Sequence, residues 1–232
     1  MQRGEKLSII SAELTKTLKR FCIVVVFSIA FGYIEAAVVV YLRTIFYPAG
    51  FTFPLADFGM TPLWRQHLLT EIGREAATLV VIITGAWLFG QNLRQRLAYF
   101  FIVFAVWDIF YYVWLKVLLN WPASIMDWDI LFLIPLPWVA PVLAPVLVSL
   151  TMLLFAVIIL YRDCTARPIK VSRLDRLGFT FAALVVVASF LIAGFYMTRP
   201  DFRSHFYWRL FGFGELLAIG LFVKCLLKPK SA

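Results

Sequence analysis

The stretch LAYFFIVFAVWDIFYYVWLKVL, residues 97–118, decides the fold, because it is long and apolar enough to cross a bilayer as one helix. The hydrocarbon core of a bilayer is about 30 Å thick, which corresponds to about 20 helical residues. One acid, Asp108, lies near the middle of the stretch, roughly 16 Å of helical rise from residue 97. A carboxylate at that depth costs about 2.5–3.5 kcal/mol on insertion scales, so its presence requires a reason.

Five further apolar runs of similar length accompany this stretch. The six predicted spans cover residues 21–42, 69–89, 97–118, 139–161, 177–197 and 206–226. The 232-residue chain is 62% hydrophobic and 15% charged, whereas a typical soluble domain has about 25% charged residues. The sequence therefore predicts an all-α fold: a single domain, 1–232, built as a polytopic transmembrane helix bundle.

Lysine and arginine are distributed unevenly between the connecting segments. Fifteen of the 22 fall in residues 1–20, 90–96, 162–176 and 224–230, which lie on one side of the predicted spans. Because cytoplasmic loops are enriched in basic residues, both termini are predicted to be cytoplasmic, and residues 1–20 form a basic N-terminal segment. The net charge of +9 is then a topology signal, and no nucleic-acid partner is predicted.

Charged residues recur inside the first two spans. Glu35 lies in FGYIEAAVVVYL, residues 31–42, in the outer half of the first span. In TEIGREAATLVV, residues 70–81, helical spacing places Glu71, Arg74 and Glu75 on one face, with Thr78 one turn further along. Arg74 is predicted to clamp one of the two neighbouring acids with a bidentate ion pair.

The third and sixth spans add more polar groups. Asp108 shares its helix face with Tyr112, whose phenol is placed to donate a hydrogen bond to the acid. Lys116, near the outer end of the same span, is interpreted as a snorkelling residue rather than as the partner of Asp108. The sixth span contributes Glu215, within FGFGELLAIG, residues 211–220.

Acids outnumber nearby bases in these spans, so ion pairing alone does not satisfy all of them. Some acids are expected to be protonated, hydrogen-bonded to Tyr or Thr, or matched to a cation. We interpret the set as a polar pocket between the first, second, third and sixth spans that opens outward. In this hypothesis Asp108 and Glu35 are candidate catalytic acid or base groups, and the candidate substrate-binding residues are Glu71, Arg74, Glu75, Tyr112 and Glu215. The alternative is that these polar residues hold the helices together.

The segment before the fourth span is rich in proline. Pro137, Pro141 and Pro145 are spaced by four, and Pro141 suits the first turn of a helix. Residues 129–140 are then an interfacial or re-entrant segment, and the alternative is a tilted, kinked start of the fourth helix. Asp127 and Asp129 look like an acid pair, but a period of two places them on opposite sides of an extended chain. Their interpretation as residues of a solvated loop explains them equally well.

No cofactor and no metal site is predicted. The chain has two histidines, His67 and His205, both near outer loops, whereas a haem bundle needs histidines inside the membrane. A metal held by these histidines with Asp127 or Asp129 is a minor alternative. Cys22, Cys164 and Cys225 fall at the predicted inner face, where a reducing cytoplasm is expected to keep them as thiols. Their spacing does not indicate a redox or zinc site.

Four strings carry a resemblance to a known family: GYIEAAVVVYLR, REAAT, WDIFYYVWLKVLL and DWDILFLIPLPW. They resemble an uncharacterised family of bacterial six-span integral membrane proteins over residues 31–150, approximately. The resemblance implies a multi-pass protein of the bacterial cytoplasmic (inner) membrane and implies no activity.

A second, partial similarity is to the lycopene cyclase domain, which has Trp-Asp in one span and Pro-x-Glu-Glu at the next. Trp107-Asp108 and Ile134-Pro135 fit that frame, but Pro137-Trp138 stand where that family has its two glutamates. The departure removes the acid chemistry that the similarity would otherwise imply.

The pocket predicts that the protein binds or converts a lipid-like or amphiphilic small molecule, such as an isoprenoid. A small proton- or cation-coupled transporter is the first alternative, because intramembrane acids also suit ion coupling. An accessory subunit of a membrane complex is the second alternative. The lipid bilayer is the predicted environment, and a protein partner or a second copy of the chain is compatible with the sequence.

Overall fold

Long helices build most of the computed structural model, which describes residues 2–55, 58–60 and 62–228. They are α1 (Gln2–Phe46), α2 (Pro62–Phe89), α3 (Leu93–Leu119), α4 (Leu143–Cys164), α5 (Arg173–Tyr196) and α6 (Trp208–Leu227). Within these residues six helices are long and apolar enough to cross a membrane, so the predicted all-α six-span bundle is confirmed. The predicted loop positions 56, 57 and 61, and Lys230 in the predicted tail, lie outside the described residues.

The first helix is longer than its apolar run. The predicted span begins at residue 21, whereas α1 is one continuous helix from Gln2 to Phe46. The thiol of Cys164, at the end of α4, donates a hydrogen bond to the hydroxyl of Thr17 at 3.1 Å, so the early part of α1 packs beside the bundle. The basic segment is therefore a helical extension of the first span.

The early part of α1 and the end of α6 lie at one end of the bundle, together with the α2–α3 turn and the α4–α5 connection. We name this the basic end. Asp163 ties the last turn of α4 to the first turn of α3 by accepting hydrogen bonds at 2.8–3.2 Å from Asn92, Arg94 and Gln95. These bonds hold the end of α4 against the start of α3.

Asp175 performs a similar task for the last two helices. Its side chain and that of Ser172 form a capping box at the start of α5. The same carboxylate pairs with Lys224 at 3.0 Å and, more closely, with Lys228, so the end of α6 is tied to the start of α5. The hydrogen bond from Lys228 to Asp175 raises the pKa of that lysine above its ordinary value.

Two apolar clusters form the core. The first contains residues of the four helices α1, α2, α3 and α4, and it includes Val24, Ile82, Tyr99, Ile102 and Ala156. The second joins α5 and α6 to residues 139–144 and includes Val139, Val186, Phe190, Phe206 and Phe211. α1 and α3 cross closely at Gly32, where an added Cβ would lie 3.0 Å from the carbonyl oxygen of Trp107. This crossing places the polar residues of the two helices at the same level.

Residues 128–141 form a β-hairpin rather than the start of a helix. Strands β1 (Trp128–Phe132) and β2 (Trp138–Pro141) pair antiparallel, with Asp129 opposite Ala140 and an irregularity between Ile130 and Phe132. The fourth helix, predicted from residue 139, therefore begins at Leu143. Pro145 lies in the first turn of α4, where a proline removes no helical hydrogen bond.

The hairpin lies among the helices. Phe132 packs against Trp107, near the middle of α3, with 6.1 Å between ring centroids, and Trp138 packs against Phe190 of α5 at the same separation. Gly194 of α5 has no room for a side chain, because an added Cβ would lie 1.8 Å from the carbonyl oxygen of Pro137. Non-helical backbone is tolerated at membrane depth where protein covers it. Asp129, Val139 and Ala140 of the hairpin are buried in this way, whereas Leu136 at its turn is exposed. We name this side of the bundle the hairpin end.

Candidate intramembrane acid site

A cavity of about 50 Å³ lies between α1, α2, α3 and strand β1. Its wall contains both polar and apolar side chains, and the lining residues are Glu35, Val39, Arg74, Glu75, Thr78, Trp107, Asp108, Tyr111, Tyr112, Ile130, Leu131 and Phe132. Five of the seven predicted site residues are in this set: Glu35, Arg74, Glu75, Asp108 and Tyr112. Glu71 is bonded to one of them, and Glu215 lies elsewhere.

Arg74 links two helices through their acids. Its Nε donates to Oε2 of Glu71 at 2.8 Å, and its Nη1 makes a close ion pair with Oε1 of Glu35 on α1. The hydroxyl of Thr78 donates to the other oxygen of Glu35 at 3.1 Å. The arginine thus joins Glu71 to an acid of another helix, whereas the sequence predicted a bidentate clamp on Glu71 or Glu75.

Glu75 is held by the hairpin. Its Oε2 accepts a hydrogen bond at 2.7 Å from the backbone N–H of Leu133, the first residue after β1. Glu75 is buried, with 6% of its surface exposed, and this bond comes from a neutral donor. The position of the Glu75 carboxylate is therefore tied to the backbone at the tip of the hairpin.

Asp108 has a neutral partner as well. Its Oδ2 accepts a hydrogen bond at 2.8 Å from the hydroxyl of Ser149 on α4, so the donor is a serine of a different helix rather than the predicted phenol of Tyr112. Tyr112 lies beside it in the cavity wall. The indole N–H of Trp107, also a lining residue, is buried and has no acceptor among the described residues.

Asp129 is a further buried acid, and it lies at the hairpin end of the same region. Asp129 pairs with Arg43, at the end of α1, with 3.0 Å between Oδ1 and Nη2, and accepts a 3.3 Å hydrogen bond from the Tyr111 hydroxyl. The guanidinium of Arg43 lies between two rings, 4.1 Å from the centroid of Phe51 and 3.7 Å from that of Trp121. The carboxylate, the arginine and the rings form a covered ion pair.

The interpretation of Asp129 as a solvated loop residue is wrong, because only 2% of its surface is exposed. Asp127 behaves differently: its Oδ2 accepts the backbone N–H groups of Ala123 and Ser124 within the loop. The sequence holds one signal that separates the two acids. Asp129 is enclosed in WDILF, an aromatic and aliphatic run typical of a buried strand.

The other polar residues lie apart from the cavity. Glu215 accepts a 2.9 Å hydrogen bond from Thr151 of α4. Lys116 donates to the carbonyls of Asn120 and Pro122 at the end of α3, which agrees with its interpretation as a helix-end residue. In the part of the chain that the structure describes, no group of three or more His, Cys, Asp and Glu side chains is placed to hold a metal ion.

His205 belongs to a surface cluster at the hairpin end. It stacks on Tyr196, with 3.6 Å between ring centroids, and its Nε2 lies 3.3 Å from Oδ2 of Asp201. The hydrogen bond with His205, with help from the charge of Arg199, holds the pKa of Asp201 below its ordinary value. This cluster is exposed and does not contact the cavity.

The charge balance around the cavity is negative. Two arginines, Arg43 and Arg74, serve five buried acids, which are Glu35, Glu71, Glu75, Asp108 and Asp129. The ion pairs take up Asp129, Glu35 and Glu71. Of these five acids, Glu75 and Asp108 are the two whose hydrogen bonds come only from neutral donors.

Searches against protein-family models, curated proteins and solved structures find no match to this chain. The two resemblances noted in the sequence stay predictions.

Proposed function

We propose that this membrane protein takes up and releases protons at Glu75 and Asp108, and that it couples this exchange to the movement of a small solute. The observation that carries the proposal is the convergence of two buried carboxylates without cationic partners on one small cavity. An unpaired carboxylate is expensive inside a membrane, and taking up a proton removes that penalty.

The size of the cavity supports the proposal that the exchanged ion is a proton. A water molecule needs about 10–15 Å³ of such space, so a cavity of about 50 Å³ has room for a few waters. Each of the two carboxylates uses one oxygen in its bond to Leu133 or Ser149, which leaves the other oxygen for water. Water in this space would also lie beside Trp107, a lining residue whose indole N–H has no acceptor among the described residues.

We place the basic end in the cytoplasm and the hairpin end outside a bacterial inner membrane. The support is the distribution of Lys and Arg, of which 15 of the 22 fall in the segments at the basic end. In this orientation the acid cavity exchanges protons nearest to the outer face. A reporter enzyme that is active only in the cytoplasm, fused after residue 232, is expected to be active.

Infrared titration tests the proton site directly. In lipid at neutral pH, we expect carbonyl bands of protonated carboxyl groups that titrate reversibly. Asp108→Asn and Glu75→Gln each remove one titrating band, because each removes one proton acceptor. The matched control is Glu215→Gln, an acid of α6 that lies outside the cavity wall, and it keeps both bands. A wild-type protein without any protonated carboxyl group at neutral pH contradicts the proposal.

A flux assay then tests coupling. Liposomes with a trapped pH-sensitive dye are expected to take up protons through the wild-type protein when a candidate solute gradient is applied. Asp108→Asn is expected to reduce that uptake at least tenfold, and Glu215→Gln is expected to leave it unchanged. Proton binding without coupled flux, whatever solute is tested, retains the proton site and removes the carrier part of the proposal.

A second candidate is the binding or conversion of a lipid-like molecule. The apolar lining residues favour it, since Val39, Ile130, Leu131 and Phe132 would contact a hydrocarbon chain. The hairpin would have to move, because ligand pockets for such molecules typically enclose about 300–1,000 Å³. Mass spectrometry of lipids extracted from the purified protein tests it. A specific lipid or isoprenoid that is present in the wild type and lost in Asp108→Asn would favour this candidate over the first.

A further inference from the structure

The turn between α2 and α3 holds one arginine in a fixed position. The guanidinium of Arg96 stacks on the indole of Trp87, with 3.6 Å between its carbon and the ring centroid. Its Nε donates a hydrogen bond to the carbonyl of Gly90 at 3.2 Å. The stacking and the hydrogen bond together orient the plane of the guanidinium before any ligand arrives.

The backbone of this turn is tightly packed around the arginine. An added Cβ at Gly90 would lie 2.4 Å from the backbone nitrogen of Arg96, so the turn requires glycine there. The side chain of Asn92 caps α3 by accepting the N–H of Gln95 at 3.0 Å. The backbone N–H of Gln91 in turn donates to the side-chain oxygen of Gln95 at 3.1 Å. The position of Arg96 is therefore built into the turn, and little conformational entropy is lost on binding.

The charge of Arg96 is not compensated locally. Its neighbour Arg94 is paired with Asp163 at 3.1 Å. In the described part of the chain, no acceptor bonds to the two terminal nitrogens of Arg96, whose Nε alone is used. A guanidinium with two free N–H₂ groups in one plane matches two oxygens of a phosphate.

Exposed apolar side chains flank the turn that carries this cation. Trp87 is 57% exposed, and Leu88 and Leu93, which flank the turn, are 84% and 77% exposed. The turn follows directly after a membrane-spanning helix, so it lies at the level of lipid head groups. Tryptophan prefers this level, because its ring is apolar and its N–H is polar.

We propose that the α2–α3 turn binds the phosphate of an anionic phospholipid. Arg96 contacts the phosphate with its terminal nitrogens, Trp87 orients Arg96 from behind, and Leu88 and Leu93 contact the acyl chains. A lipid is the ligand rather than free phosphate, because the cation is bordered by exposed apolar side chains that a free ion leaves in contact with water. This inference does not depend on the acid cavity or on its proposed function.

Native mass spectrometry with defined lipids tests the site. The protein in mild detergent is titrated with phosphatidylglycerol or phosphatidylcholine, and the fraction with one bound lipid is measured. Arg96→Gln is expected to reduce phosphatidylglycerol binding about fivefold, as loss of one basic contact at a membrane surface implies. Arg96→Lys keeps the charge but lacks the planar fork, so it is expected to recover only part of the binding.

The control variant is Arg203→Gln, which removes an arginine near an aromatic ring, Phe202, at the opposite end of the bundle. It is expected to bind phosphatidylglycerol like the wild type. Equal loss in Arg96→Gln and Arg203→Gln would overturn the proposal, since binding would then follow total charge. Displacement of the lipid by millimolar inorganic phosphate would also overturn it, because the site would then recognise a free anion.

Discussion

Asp129 and Asp108 are both buried carboxylates beside the hairpin, yet their surroundings differ. Asp129 faces the guanidinium of Arg43, which two aromatic rings cover. Asp108 faces the hydroxyl of Ser149 and a small cavity. The exposed fractions are similarly low, 2% and 8%, so burial alone does not distinguish them.

The difference separates a structural acid from an acid that is able to exchange a proton. An ion pair fixes the charge of Asp129, and removing either partner leaves the other one buried without compensation. A hydroxyl donor stabilises Asp108 whether or not it carries a proton, because the hydroxyl also accepts hydrogen bonds. The partner of an intramembrane acid, more than its depth, therefore indicates its role.

The largest expected loss of stability comes from removing the charge of Asp129. Asp129→Asn is expected to lower the free energy of unfolding by about 3–5 kcal/mol, because Arg43 is left as an unpaired buried charge. Unfolding by SDS in mixed micelles measures it. The double variant Asp129→Asn/Arg43→Gln, which carries neither charge, is expected to regain part of the loss. A single variant within about 1 kcal/mol of the wild type would show that the pair behaves like a surface ion pair.

A somewhat smaller loss of stability is expected from a change at the contact between α5 and the hairpin, which leaves both acids in place. Gly194→Ala is expected to destabilise the protein by about 1–3 kcal/mol, because the new methyl group collides with the carbonyl of Pro137. The control is Gly212→Ala on α6, where nothing lies within 4 Å of an added Cβ. That variant is expected to be neutral or stabilising, since alanine favours helix. Equal losses in the two unfolding titrations would argue against a close contact at Pro137.

Removing the hydroxyl partner of Asp108 is expected to have a modest effect. Ser149→Ala loses one hydrogen bond and is expected to cost about 0.5–1.5 kcal/mol of unfolding free energy. Ser189→Ala is the matched control, because that buried hydroxyl donates to the backbone carbonyl of Val186 and contacts no acid. In infrared titration, Ser149→Ala is expected to shift the band assigned to Asp108, and Ser189→Ala is not.

The smallest change in stability is expected for Asp108→Asn, which makes the comparison of Asp108 with Asp129 direct. Asp108→Asn is expected to change the free energy of unfolding by less than about 1 kcal/mol, because the neutral amide keeps an acceptor for Ser149. The same chemical change at Asp129 is expected to be several times more damaging. Similar losses at Asp108 and Asp129 would mean that Asp108 serves assembly of the bundle rather than proton exchange.

The helices could be predicted from the sequence because each apolar run matches the thickness of a membrane. Much of the site was predictable for the same reason. Glu35, Glu75 and Asp108 lie in apolar runs where water does not solvate them, so helices have to bring them together. Arg74 was assigned to the same site, but its bond to Glu35 depends on how α1 packs against α2, which helical spacing does not specify.

Residues outside the helices were less predictable. Asp129 was interpreted as a loop residue, since a short hairpin enclosed by helices leaves no long apolar run in the sequence. Its partner Arg43 lies one residue beyond the predicted first span, although α1 continues to Phe46. Glu215 shows the opposite problem. Its position in the sixth span indicates an intramembrane acid, but α6 packs mainly on α5, so the acid reaches Thr151 of α4 and does not line the cavity.

The continuity of α1 has a mechanical consequence. The helix has 45 residues and carries Glu35 in the bundle and Ile10 near its other end. Twenty-five residues of helix span roughly 38 Å, so a tilt of about 5° around Glu35 displaces Ile10 by roughly 3 Å. The bond from Cys164 of α4 to Thr17, which lies between Glu35 and Ile10, opposes such a tilt. A distance measurement between spin labels near Ile10 and on α4 would therefore show whether a shift of the Glu35–Arg74 contact is able to overcome it.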